Sequence, residues 1–221
     1  MKKAVVVLSG GLDSTTLLYD AVKKYDEVHA LTVNYGQRHD KEIEAAILTC
    51  KKLDVKHQSI DLHLLGKRLL SGSSLTSNID VPEGHYADEN MKQTVVPNRN
   101  MILLSLAVGY AVSLKADVVL YGAHAGDHDI YPDCRIEFIE AMKKAIALCD
   151  WHKVELEAPY WFMTKGQIVK RGLELGVPYA DTWTCYNGRE KACGKCGSCV
   201  ERLEAFKENG VDDPIEYEVA K

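Results

Sequence analysis

Along the chain, continuous apolar runs alternate with stretches whose apolar residues recur at three- and four-residue intervals. Residues 4–8 form such a run and read as a buried strand; residues 14–22, after a glycine turn, have helical spacing. Residues 28–33 predict a second strand, and residues 41–53 a helix with Ile43, Ala46, Ile47 and Cys50 on one face. Residues 55–60 predict a third strand, 101–114 a buried helix, 117–122 a fourth strand and 134–149 another helix. Such alternation folds as a doubly wound, mainly parallel α/β sheet with helices on both faces.

Two stretches break the pattern. Residues 71–98 have Ser, Gly, Pro and charged residues without sustained periodicity, and a connection that long inside a compact domain is expected to be a lid, a binding loop or a mobile segment. From Thr184 onward come clustered cysteines, a short helix around residues 200–207 and a polar end at Asp212-Asp213-Pro214. The expected division is an α/β domain over 1–183 and a small zinc-binding subdomain over 184–221.

Composition narrows the class. The 221 residues are 46% apolar and 27% charged, which excludes a disordered or fibrous chain. The net charge of −5 provides no general basic field for nucleic acid or an anionic membrane. The apolar N-terminal run is too short for a signal peptide. The 101–114 stretch, interrupted by Ser105, Gly109 and Ser113, has the length of a buried helix rather than a membrane span. A cytoplasmic protein is expected, and there seven cysteines, four of them crowded between 185 and 199, favour metal over disulfides.

The glycine turn is Ser9-Gly10-Gly11-Leu12-Asp13-Ser14-Thr15, placed where a parallel sheet brings backbone N–H groups and a helix N-terminus to one spot. Phosphate is the expected occupant, with hydroxyl donors from Ser9, Ser14 and Thr15. Asp13 would repel phosphates unless a cation intervened, so it points to Mg²⁺ or to bracing of the loop; a tight turn with Ser14 or Asp13 capping the helix is the plainer alternative. Neither a P-loop lysine nor a Gly-x-Gly-x-x-Gly pattern is present.

Cys185, Cys193, Cys196 and Cys199 can close a tetrahedron around one zinc, and four thiolates leave no open position for water, so the role is structural. An iron–sulfur site would be expected to continue to a fourth cysteine followed by proline, whereas Val200-Glu201-Arg202 follow. Cys50 and Cys149 read as helix-face thiols packed in the core.

Other polar clusters follow predicted strands. Asn34 to His39 lies at the carboxyl edge, where open sheets hold ligands; Arg99 precedes the apolar helix and could meet a carboxylate or phosphate. Surface ion pairs are the alternative for Arg38 and Arg99. His124, Asp127 and His128 could form a metal set, but Gly126 argues against a helix that would align them. Lys165 falls at a predicted helix start, either aimed at phosphate or solvated.

The Ser-Gly-Gly-x-Asp-Ser motif at 9–14 resembles that of the N-type ATP pyrophosphatases. Joined to Tyr-Gly-Gln-Arg-His at 35–39, Val-Pro-x-Arg-Asn at 96–100, Tyr-Pro-Asp-Cys-Arg at 131–135 and Thr-Cys-Tyr-Asn-Gly at 184–188, it makes nearly the whole chain similar to the 7-cyano-7-deazaguanine synthase family. The resemblance implies a homodimeric ligase that adenylates 7-carboxy-7-deazaguanine with ATP and Mg²⁺, captures ammonia to form the amide, and activates the amide to the nitrile. It implies that Leu8, Ser9, Gly10, Gly11, Leu12, Asp13, Ser14 and Thr15 hold ATP, that Arg38, Arg99, Asp127, Asp133 and Arg135 line the pocket, and that Lys165 meets the leaving pyrophosphate. Two positions depart from the family pattern: Ala125 and Gln167 stand where glutamates are expected. Another adenylating pyrophosphatase, either an amidating synthetase or a tRNA thiolase using Cys134, is the competing reading; a zinc-containing nucleic-acid module is a further one.

Overall fold

A computed structural model describes residues 1–38 and 40–218. Five strands, β1 (Lys3–Val7), β2 (Glu27–Asn34), β3 (Lys56–Asp61), β4 (Val118–Leu120) and β5 (Glu155–Glu157), form one sheet in the order β3-β2-β1-β4-β5. Every pairing is parallel, with Val5 opposite His29 and Val119. Ala4, Val5 and Val6 of the central strand are fully buried, so β1 reads as an unbroken apolar run rather than an alternating one.

The helices are α1 (Leu12–Lys24), α2 (Lys41–Lys52), α3 (His63–Leu69), α4 (Arg99–Leu114), α5 (Ile136–Cys149), α6 (Lys165–Leu175) and α7 (Gly197–Glu208). One core, with Leu17, Leu18, Ile168, Val169 and Phe206, packs against Ala4, Val6 and Leu8. The other, with Leu104, Ala107, Ile139 and Met142, covers Val5, Leu31 and Val119. Burying apolar area on both faces is what turns the alternating sequence into a doubly wound sheet.

Several local expectations are corrected. On α2 the buried positions are Ala45, Ala46, Thr49 and Cys50 while Ile47 is exposed, because only the small residues fit against the strand layer. Cys134 lies in a 3₁₀ turn (Pro132–Cys134) ahead of α5, since Pro132 sets that turn before the helix begins. Cys50 is buried, and burial pushes its thiol up to about 12; Cys149 is exposed at the end of α5, past Ile146, the last buried residue of that helix. Strand β5, three residues with one leucine, and helix α3, seven residues long, are too short for a periodic pattern to reveal them. No described helix is long and apolar enough to cross a membrane.

Candidate functional site

The carboxyl end of β1 turns into α1 through the glycine loop. Gly10 has φ of +89°, and a Cβ there would lie 1.9 Å from the Glu42 carbonyl oxygen, so the loop is seated directly on the first turn of α2. Ser9 and Ser14 bond each other through their hydroxyls (3.0 Å), and the Gly11 N–H donates to Ser9 Oγ (3.2 Å), which fixes the turn. Leu8, Ser9, Gly11, Leu12, Asp13 and Ser14 line a cleft of about 220 Å³. Thr15 is wholly buried and is not part of that lining, its hydroxyl without a partner among the described residues.

At the floor of the cleft Lys165, the first residue of α6, reaches back to α1. Its Nζ lies 2.6 Å from Asp13 Oδ2, 2.8 Å from His124 Nε2 and 3.2 Å from Glu201 Oε2. His124 Nε2 is also 3.4 Å from Asp127 Oδ2. Burial works against an ionised Asp13, yet the charges of Lys165 and His124 hold its carboxyl below the ordinary value. Burial likewise works against a charged Lys165, but Asp13 and Glu201 hold its ammonium protonated. Asp13 Oδ1 is buried and unpartnered, an oxygen left open for a further ligand.

Thr164 caps α6: its Oγ1 accepts from the Gln167 N–H, and Gln167 Oε1 accepts from the Thr164 N–H at 2.9 Å. A capping box accepts glutamine as readily as glutamate, which accounts for Gln167. At the other departure Ala125 follows His124, and the carboxylates come instead from Asp127 and, across the fold, from Glu201 of α7.

Higher on the wall, Arg38, Glu42, Arg99, Tyr35, Tyr121 and Tyr186 face the same cleft. Arg38 donates to the Ile79 carbonyl oxygen (2.8 Å), tying the site to the long connection. Neither Arg38 nor Arg99 forms an ion pair among the described residues; Arg99 lies over the Tyr131 ring at 5.9 Å. Asp133 and Arg135 stand behind the wall: Asp133 Oδ2 accepts from the Asn100 N–H (3.1 Å), and Arg135 Nε donates to the His128 carbonyl oxygen (2.7 Å). The long connection contributes Leu75 to the lining of the cleft, and its Leu75 and Val96 pack with Tyr35 and Tyr186. His39 of the Tyr-Gly-Gln-Arg-His motif lies outside the described residues.

The ligand atoms of Cys185, Cys193, Cys196 and Cys199 all lie within 4.8 Å of one another, and all four residues are buried. The Cys196 and Lys195 N–H groups donate to Cys193 Sγ (3.3 and 3.4 Å), an arrangement that suits thiolates gathered on a metal ion. His128 stands apart from that cluster, its ring stacked on Trp161. Sequence reasoning did not assign Glu201 or Glu42 to the site. Only the proximity of Glu201 to the last cysteines, on a helix whose direction the tertiary fold sets, hinted at the former.

A family model described as queuosine biosynthesis protein QueC matches residues 3–210. Curated relatives called 7-cyano-7-deazaguanine synthase include one from Hahella chejuensis, 62% identical over 98% of this chain and 93% of its own length, and one from Caldicellulosiruptor saccharolyticus, 60% identical over 98% and 96%. Among solved structures, a 4-thiouridine synthetase in complex with RNA and ATP superposes with a TM-score of 0.52 at 19% identity, over 92% of this chain and 50% of that one, a likeness of fold.

Proposed function

The chain belongs to the QueC family of 7-cyano-7-deazaguanine synthases, and we propose that its cleft converts 7-carboxy-7-deazaguanine and ammonia to 7-cyano-7-deazaguanine with ATP. The observation that carries this reading is the Lys165–Asp13 pair at the mouth of the glycine loop, with Asp13 Oδ1 buried and unpartnered. A carboxylate oxygen of the substrate attacks the α-phosphate; the N–H groups and hydroxyls of the loop hold the departing pyrophosphate, and Lys165 offsets its charge. Ammonia displaces AMP to give the amide, with Asp127, a carboxylate of the cleft lining, placed to accept its proton. The amide oxygen then undergoes the same activation, and loss of AMP leaves the nitrile. The 71–98 connection would keep water from the acyl-adenylate.

The open oxygen of Asp13 fits the Mg²⁺ that accompanies ATP, which when bound neutralises phosphate charge. The four cysteines fit zinc, which would supply a fold-stabilising staple for a subdomain over 184–221 resting on the 1–183 domain. The reading extends to a cytoplasmic homodimer, the latter checked by sedimentation. A thiolase is not favoured: Cys134 is buried, and burial pushes its thiol well above the ordinary value, the reverse of what a sulfur carrier needs.

Neither oxygen of a carboxylic acid leaves unaided at neutral pH, so AMP and pyrophosphate are expected twice per nitrile. The amide supplied directly should react with one ATP and no ammonia. Product analysis by mass spectrometry tests this; ADP and phosphate as products, or an inert amide, would refute it.

A further inference from the structure

Glu42 is the one carboxylate on the upper wall of the cleft, and it makes no hydrogen bond or ion pair with any described residue. Its neighbour Glu44, two residues along the same first turn of α2, is exposed to solvent, so helix-terminal electrostatics alone would not place Glu42 in the cleft. The position is rigid, because the Glu42 backbone carbonyl abuts Gly10. Tyr35, Tyr186 and Leu75 wall the same space, a lining suited to a flat heterocycle. Burial pushes the Glu42 carboxyl up to about 7 while the charge of Arg99 pulls the other way. A group in this condition lacks donors that a ligand would bring.

This step rests on the reading above, in which the ligand is a 7-substituted deazaguanine. The aminopyrimidinone edge of that heterocycle offers two adjacent donors, the N1–H and the 2-amino group, at a spacing that matches the two oxygens of one carboxylate. ATP offers no such pair: its adenine presents one amino donor beside an acceptor. We propose that Glu42 is the specificity-determining residue that reads the N1–H and 2-amino edge of the deazaguanine, leaving ATP to the glycine loop.

The test compares the parent enzyme with Glu42→Gln on two substrates, 7-carboxy-7-deazaguanine and its analogue lacking the 2-amino group. Replacing a charged acceptor by an amide removes one acceptor and sets an N–H against a donor. The expected loss in kcat/KM is about 100-fold on the guanine-type acid, carried mainly by KM, and less than about 10-fold on the analogue. The KM for ATP should stay unchanged, and the melting temperature should not fall. Equal losses on both substrates, or a raised KM for ATP, would overturn the assignment. Binding of 7-cyano-7-deazaguanine itself, measured by calorimetry, gives the same comparison without turnover: weaker binding by Glu42→Gln supports the assignment, and equal binding overturns it. Absence of turnover in the parent alongside such a binding difference would strike at the adenylation reading alone.

Discussion

Lys165 Nζ and Asp13 Oδ2 stand 2.6 Å apart, joining the first turn of α6 to the first turn of α1 across 152 residues of sequence. The side chains are 8% and 21% exposed, and Glu201 lies on the far side of the ammonium. Removing the two members therefore has unequal consequences. Asp13→Asn leaves Lys165 with Glu201, so the fold should hold while kcat/KM falls roughly 10²- to 10³-fold. Lys165→Ala strands two buried carboxylates and should cost about 3–5 kcal/mol in stability as well as activity. Calorimetric unfolding and ATP turnover of both variants check this; equal melting temperatures would count against the buried triad.

Gln167 serves the helix end, so Gln167→Glu should change stability by less than about 0.5 kcal/mol and leave turnover intact. Thr164→Ala removes the cap and should cost about 1 kcal/mol. A large gain in turnover for Gln167→Glu would instead mark the position as part of the chemistry.

The cysteine cluster predicts one tightly held zinc per chain by elemental analysis. Cys193→Ser, or a strong chelator, should lower the melting temperature, because the energy of metal binding contributes to folding. Cys149→Ser should not, since that thiol is exposed. Iron with a visible absorption band would rule out the zinc assignment.

Burial pushes the Glu42 carboxyl up to about 7 from an ordinary value of 4.5, so the folded protein holds its proton more tightly than the unfolded chain. Stability from this group is present at low pH and is lost as pH rises from about 4.5 through about 7. Glu42→Gln should therefore melt roughly 2–4 °C higher than the parent at pH 8 and show a smaller difference at pH 5. Parallel pH profiles would show that the carboxylate finds a partner in solution.

The strand and helix alternation, the glycine loop and the cysteine tetrad were legible because each is written in adjacent residues: Val5 to Val7 as an apolar run, Gly10 as the only residue that fits under α2, four cysteines within one short segment. The cleft was legible only in part. Lys165 was a candidate beside a solvated alternative, and what decides between them is Glu201 and Asp13, brought to it from opposite ends of the chain. Arg135 and Asp133 belong to a local motif, yet the turn at Pro132–Cys134 directs them to backbone groups behind the wall. Glu42 carries no local signal, since an acid in the first turn of a helix is ordinary.

The two margins of the sheet differ from its interior in a way that bears on how copies of the molecule meet. One margin, β3, presents Lys56, Gln58, Ser59 and Asp61 to solvent; the other, β5, is three residues long and carries Glu155 and Glu157. Charged or very short borders are poor templates for another chain's backbone. Self-association through continuous strand addition is thus disfavoured at both borders, and any symmetric assembly of this molecule is left to its helical and loop faces.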